Sequence, residues 1–310
     1  SLFTTNEWML LLSARFVNVL LGALMAWVVL KAAKLLFPRR YAWMFTALVV
    51  FLPGNVILYS YVNCDALAMC STAIIFYSWV KAYTAGWNWT TCAVSAIGMG
   101  LCFLSYYNAY GFILTTFFFF VGTMLTDQEK APKERWKEMI QKGLFILVIV
   151  CVIALWWFIR NAILYHGDFL GRETSSACAE LYARAKYKPS NSKTFQKKGD
   201  SMLCMIFYRP VYLEHDWLVT VLYSFVGAFG YNRIYLSKMI IVPYLCCLGV
   251  GLILMRNCCQ RDFFFWNADG TQTAIAGKTK RKWSKTGWFT WANVFALLIP
   301  NYLNAYYSYS

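Results

Sequence analysis

Residues 8–30 read WMLLLSARFVNVLLGALMAWVVL, with Arg15 as the lone ionisable side chain of the run. A helix rises about 1.5 Å per residue, so about 20 mostly apolar residues cross the ~30 Å hydrocarbon core of a bilayer. Lys31, Lys34, Arg39 and Arg40 follow directly, and such clusters fix the side on which a spanning segment stops. Working outward, seven further runs qualify: Ala42–Tyr61, Ala66–Tyr83, Trp89–Tyr106, Tyr110–Leu125, Leu144–Leu164, Met239–Met255 and Trp288–Tyr306. Tyr106-Tyr107-Asn108-Ala109-Tyr110 separates the fourth run from the fifth and suits either a tight hairpin or one broken helix.

Composition agrees. Of 310 residues, 60% are apolar, 19% aromatic and 14% charged. Soluble domains hold about 25% charged residues, and a chain of this length has no interior able to hide so much apolar surface. Disorder, a collagen-like rod and a nucleic-acid tail are excluded. The expected fold class is all-α: a polytopic membrane helix bundle of about eight transmembrane helices with one long extracytoplasmic loop. The expected organisation is an N-terminal bundle of six spans over 1–164, a loop with an interfacial helix over 165–238, and two C-terminal spans with a basic cytoplasmic loop over 239–310.

The net charge of +15 reports orientation. The connections after the first, fifth and seventh runs are rich in Lys and Arg, the one after the third carries Lys81, and those after the second and fourth carry none. The positive-inside rule places the odd connections in the cytoplasm and both ends of this chain outside. The long connection from Tyr165 to Lys238 is then also outside; it is basic, but long loops translocate regardless of charge. The start without Met and the stop after Tyr309-Ser310 suggest a piece of a longer membrane protein.

Trp8, Trp87, Trp89, Trp156, Trp157, Trp288 and Trp291 lie at run ends, and Tyr302, Tyr306, Tyr307 and Tyr309 close the last run. Amphipathic rings favour the headgroup level, so these read as an aromatic belt. The 11 Cys form no C-x-x-C and read as small buried hydrophobes without a metal. Cys178 and Cys204 share the long loop, and whether they pair is open. Asn88-Trp89-Thr90 fits a glycosylation pattern but falls on the cytoplasmic side, where it is chance. Ala96 and Gly100, with Gly98 between them, predict close helix packing.

Polar groups in a bilayer need a reason. Arg15, Asn18 and Gly22 share one face of the first helix; Arg15 either snorkels to the headgroups or points into the bundle. Pro53-Gly54-Asn55 should break the second run. Asn63 or Asp65 caps the third helix, or Asp65 offers a carboxylate to an outer cavity. Arg160 and Asn161 end the sixth run at the level of lipid phosphates, where a forked, permanent cation binds a phosphate with two bonds. Asp168 and Arg172 open the long loop, and Trp217–Phe229 is short enough to lie in the interface.

Several of these stretches resemble a known family. Arg15-Phe16-Val17-Asn18, Leu52-Pro53, Tyr59-Ser60-Tyr61-Val62-Asn63-Cys64-Asp65-Ala66-Leu67, Trp156-Trp157-Phe158-Ile159-Arg160-Asn161, Tyr165-His166-Gly167-Asp168 and Ser224-Phe225-Val226-Gly227-Ala228-Phe229-Gly230 follow in order. From about Ser13 to Leu236 the chain resembles the DUF2142 family of bacterial polytopic membrane proteins. That family is similar to the GT-C glycosyltransferases, which include the protein O-mannosyltransferases. The resemblance implies a multi-pass enzyme of the bacterial cytoplasmic membrane that takes a sugar from a polyprenyl-phosphate carrier to a cell-envelope glycan or lipid acceptor at the outer face.

Such transfer needs a carboxylate to take the proton of the acceptor hydroxyl and cations to hold the leaving phosphate. Asp65 and Asp168 are the candidate catalytic carboxylates. Arg160, Arg15, Asn161, Asn63 and Arg172 are the candidates for binding lipid phosphate or substrate, Arg160 first. No resident cofactor or metal ligand is read from the motifs, although the chemistry admits a divalent cation at the phosphate. The expected partners are membrane lipids, the lipid-linked donor and the acceptor, with no nucleic acid. A flippase for a lipid-linked saccharide and a noncatalytic scaffold are the competing readings. Inverted repeats and midplane polar residues, expected of a transporter, are not seen in the sequence.

Overall fold

The computed structural model describes residues 7–126, 131–185, 188–191, 194–207, 216–229 and 234–259, with short pieces at 265–266, 272–273, 292–293, 302–303 and 305–307. The first half consists of α1 (Glu7–Leu36), α2 (Arg39–Val50), α3 (Pro53–Leu58), α4 (Asp65–Ala85), α5 (Trp89–Phe103), α6 (Tyr110–Thr126), α7 (Pro132–Val150) and α8 (Trp156–Leu164). Among the described residues four segments are long and apolar enough to cross a membrane: Glu7–Leu36, Asp65–Ala85, Tyr107–Leu125 and Pro132–Leu164. The chain is an all-α polytopic membrane protein.

Side-chain pairs set the helix directions. Asn18 on α1 donates to the carbonyl of Tyr61 at 2.6 Å, just before α4, and Met25 shares a cluster with Cys70 on α4. Trp79 and Trp87 donate their indole N–H groups to Thr116 (3.0 Å) and Thr123 (2.8 Å) on α6. Residue numbers rise together in each case, so α1, α4 and α6 run one way, and α2–α3 and α5 return between them. The fourth and fifth runs are therefore a hairpin, joined by a 3₁₀ turn at Tyr107–Ala109. We call the end that holds this turn, the start of α4 and the end of α8 the distal end; the basic connection after α1 and the basic first turns of α7 lie at the other.

The second run breaks where expected. Leu52 is extended (φ −57°, ψ 124°), and Pro53 opens α3. Proline has no N–H to give the carbonyl four residues back. That carbonyl belongs to Val49, and Nδ2 of the buried Asn55 donates to it instead, at 2.6 Å. The sixth run is longer than expected. Pro132–Leu164 is one 33-residue rod, about 50 Å at the helical rise. Its first turns carry Lys133, Glu134, Arg135, Lys137 and Glu138, so they extend past the hydrocarbon. A π turn at Cys151–Leu155 joins α7 to α8.

Small residues let the helices close. A Cβ on Gly98 would stand 2.9 Å from Cγ1 of Ile75, and one on Gly100 2.9 Å from Cβ of Ile153. This is the close packing predicted for Ala96, Gly98 and Gly100. The belt reading needs correction at three rings. Trp87 is buried, because its N–H has a hydroxyl partner in the core. Tyr302 and Tyr306 pack with Phe195 and Met205, and donate their hydroxyls to the carbonyls of Met202 and Asp200. Trp8, Trp89, Trp156 and Trp157 are exposed. Asn88 of the glycosylation-like triplet caps α5, accepting from the N–H of Thr91 at 2.8 Å.

The long connection holds α9 (Arg172–Tyr182), α10 (Phe195–Lys198), α11 (Cys204–Phe207) and α12 (Trp217–Gly227). It ends in a two-residue pairing of Ala228–Phe229 with Ile234–Tyr235 before α13 (Lys238–Cys259). The end of α12 rests on α3, where Gly54 lets the carbonyl of Phe225 approach. Cys178 and Cys204 are free thiols. The eighth run, Trp288–Tyr306, and the basic stretch before it fall mainly outside the described residues.

Candidate functional site

At the distal end the chain leaves α8 by a tight turn. The N–H of Tyr165 reaches the carbonyl of Asn161 at 2.8 Å, and the N–H of Gly167 reaches that of Ala162 at 2.9 Å. This closure needs left-handed backbone at His166 (φ 52°) and Gly167 (φ 100°). A third left-handed residue, Gly171 (φ 69°), then starts α9. Within one short turn the chain thus carries Arg160 and Asn161 on α8 and Arg172 on α9 to the same end of the bundle.

These residues close on the α5–α6 turn. A cavity of about 280 Å³ lies between them, lined by Ser105, Tyr107 and Tyr110 from the turn, Trp157, Phe158 and Asn161 from α8, and Arg172 from the loop, with Phe103, Leu104 and Leu170 completing it. The guanidinium carbon of Arg172 stands 5.6 Å from the centre of the Tyr107 ring. Arg160 sits beside this wall: its guanidinium carbon is 5.0 Å from the Trp157 ring, and Nη1 donates to Oδ1 of the buried Asn161 at 3.4 Å. Aromatic faces, an amide, a hydroxyl and a cation are the groups that hold a hydroxylated ring or an anion.

Asp65 does not line this cavity. It occupies the first turn of α4, half-buried. The Asp65 carboxylate and the Cys64 thiol lie within electrostatic range of the Tyr106 hydroxyl, which is hydrogen-bonded to Tyr107. The Tyr106 and Tyr107 rings are 4.6 Å apart. Tyr106 thus neighbours the carboxylate, and Tyr107, stacked beside it, lines the cavity.

The other candidates are placed elsewhere. Asn63 holds the turn before α4: Oδ1 accepts from the N–H of Ala66 at 2.9 Å, and Nδ2 donates to the carbonyls of Leu58 (2.7 Å) and Tyr61 (3.1 Å). Arg15 is exposed and has no hydrogen bond or ion pair to the described residues, while Asn18 on the same helix turns inward. Asp168 accepts from the N–H groups of Arg172 (3.1 Å) and Thr174 (2.8 Å). Those bonds, Thr174 first, hold its carboxyl below the usual range. Among the described residues no three His, Cys, Asp or Glu side chains converge as metal ligands, and no residue here is assigned to a metal.

Sequence reasoning treated Tyr106 to Tyr110 as a separator and did not single out Ser105, Tyr107 or Tyr110 for the site. The one signal available was three tyrosines and an asparagine packed into five residues between two apolar runs.

Residues 1–157 match the sequence profile of the dolichyl-phosphate-mannose-protein mannosyltransferase family. The match includes Asp65, Tyr106, Tyr107, Tyr110 and Trp157, and stops short of Arg160, Asn161, Asp168 and Arg172. No curated protein and no solved structure matches the chain. With half of its length under that profile, and with a polytopic bundle to carry it, the chain belongs to the dolichyl-phosphate-mannose-protein mannosyltransferase family and is a membrane glycosyltransferase of the GT-C type at the family level.

Proposed function

We propose that the chain transfers a sugar from a polyprenyl-phosphate carrier to a glycan or lipid acceptor of the cell envelope. The distal end of the bundle would face the outside of a bacterial cytoplasmic membrane, as the charge distribution of the loops suggests. The setting follows the resemblance to the DUF2142 family. The observation that carries the reading is the cavity where Asn161 and Arg172 meet aromatic faces at that end, with Arg160 beside it.

In this reaction the acceptor oxygen attacks the anomeric carbon as the bond to the carrier phosphate breaks. The acceptor proton goes to a carboxylate, and the negative charge stays on the leaving lipid phosphate. Asp65 is our choice for the carboxylate, because each oxygen of Asp168 already accepts a backbone N–H. Since Asp65 does not line the cavity, the acceptor hydroxyl would approach from the side of Asp65 while the carrier phosphate occupies the cavity. Arg160 and Arg172 are our choice for the phosphate, since a guanidinium pairs two N–H groups with two phosphate oxygens. Removing such a cation from a low-dielectric site costs about 100-fold or more in rate.

The test is transfer from a radiolabelled polyprenyl-phosphate sugar by the full chain in proteoliposomes. Wild type forms product. Arg160→Ala and Asp65→Asn insert normally and lose it. Product at the wild-type rate from Arg160→Ala would remove that residue from the site.

A further inference from the structure

We propose that Asp168 is a positioning residue: its carboxylate fastens the first turn of α9 and so sets Arg172 over Tyr107 at the cavity. A helix start leaves its first N–H groups without partners. The residue at the cap position of α9 is Gly171, which has no side chain to offer. Asp168 supplies the missing acceptors from three residues upstream, Oδ1 to the N–H of Arg172 and Oδ2 to that of Thr174. The left-handed turn at His166 and Gly167 and the second at Gly171 bring the carboxylate back beneath the helix.

The residue whose N–H Asp168 holds is the one whose guanidinium reaches the cavity. Fixing the backbone of Arg172 fixes the root of that side chain, and the contact to the Tyr107 ring fixes its tip. The same bonds make Asp168 a poor proton acceptor. They stabilise its anion, and its carboxyl is held below the ordinary value. A base and a fastener differ in one respect that can be measured. A base needs its negative charge and proton affinity, whereas a fastener needs an oxygen that accepts an N–H. Asparagine lacks the first and keeps one such oxygen, so it can hold one of the two N–H groups, while its NH2 can accept neither.

The experiment compares Asp168→Asn, Asp168→Ala, Arg172→Ala and the double variant Asp168→Ala/Arg172→Ala, as full chains in nanodiscs. Loss of such a cap is worth about fivefold. The expectation is a KM for the lipid-linked donor raised about fivefold in Asp168→Ala, with kcat within about twofold of wild type. Asp168→Asn, with one acceptor oxygen, recovers KM in part, and the double variant is no worse than Arg172→Ala alone. A kcat lowered about 100-fold or more in both Asp168→Asn and Asp168→Ala overturns the proposal and makes Asp168 a base.

The kinetic readout rests on the transferase reading, and a second readout does not. Amide exchange should be slow at both Arg172 and Thr174 in wild type, slow at only one of them in Asp168→Asn, and fast at both in Asp168→Ala. Unchanged exchange in Asp168→Ala overturns the proposal whatever the activity. A wild-type chain that transfers no sugar sinks the transferase reading, while the exchange result still decides this one.

Discussion

The guanidinium of Arg172, on the first residue of α9, faces the ring of Tyr107, on the turn between α5 and α6, at 5.6 Å. A loop residue and a bundle residue thereby close one wall of the cavity between them. A cation over an exposed ring gains about 0.5–1 kcal/mol, two- to fivefold in an affinity. Tyr107→Phe keeps the face and loses the hydroxyl bonded to Tyr106; Tyr107→Leu loses both. If the face is what matters, donor KM rises two- to fivefold in Tyr107→Leu and stays near wild type in Tyr107→Phe. KM values raised equally in the two variants would show that the hydroxyl, not the ring, is what the site uses, and wild-type values in both would show that the site uses neither.

Trp79 is fully buried, and its indole N–H has Oγ1 of Thr116 as acceptor at 3.0 Å. Thr116→Val keeps the shape and strands that donor. In water-soluble cores a stranded group costs about 1–3 kcal/mol, but helix-to-helix bonds in membranes average about 0.6 kcal/mol. Thr116→Val should therefore lower the melting temperature in detergent by a few degrees, and Thr116→Ser should not. Identical melting of both variants would show that the α4–α6 contact rests on apolar packing alone.

Gly98 meets Cγ1 of Ile75 at 2.9 Å and the Ile75 backbone nitrogen at 3.1 Å from where a Cβ would stand. Backbone does not step aside as a side-chain tip does, so α5 must move away from α4. Overpacking of this kind costs about 1–3 kcal/mol. Gly143 has room, with its nearest neighbour Cε1 of Phe120 at 3.7 Å. Gly98→Ala should destabilise the bundle on chemical denaturation, and Gly143→Ala should leave it unchanged or slightly firmer. The reverse order would contradict the packing described for α4 and α5.

Four of the eight expected spans, the first, third, fifth and sixth, were legible because bilayer thickness fixes the length of an apolar run, while the second and fourth runs fold as shorter helices. The break at Pro53 was legible because proline cannot donate. The five residues from Tyr106 to Tyr110 left a hairpin and a broken helix equally open, since neither Gly nor Pro marks a turn there. Trp87 was misread because an indole at a run end looks the same whether it faces headgroups or Thr123. At the site, Asn161 and Arg172 were found as polar residues near a membrane surface. Their meeting with Tyr107 depends on packing between segments distant in sequence, which no local pattern encodes.

Two carboxylates pin α9 at its two ends, and both should release in acid. Asp168 holds the first turn through the N–H groups of Thr174 and Arg172. Glu180, near the last turn, accepts from Oγ of Ser190 at 2.6 Å and from its N–H at 3.0 Å. These bonds favour the anions, so both carboxyls titrate below their ordinary values of 3.8 and 4.5. A carboxyl depressed in the folded state contributes stability above its unfolded pKa and loses it as pH falls through its folded pKa. The fastening of α9 should thus be complete above about pH 5 and weaken progressively below the ordinary carboxylate range. The two hydrogen bonds onto α6, from Trp79 of α4 to Thr116 and from Trp87 of the α4–α5 turn to Thr123, contain no carboxylate. Amide exchange measured from pH 7 down to pH 3, corrected for intrinsic rates, should show α9 losing protection while α4 and α5 keep theirs. Asp168→Asn should flatten the pH dependence at Arg172 and Thr174 and leave it intact around Ser190. Loss of protection at α9 and α4 together, at one pH, would mean that the loop and the bundle unfold as a unit and that the two carboxylates are not its separate fastenings.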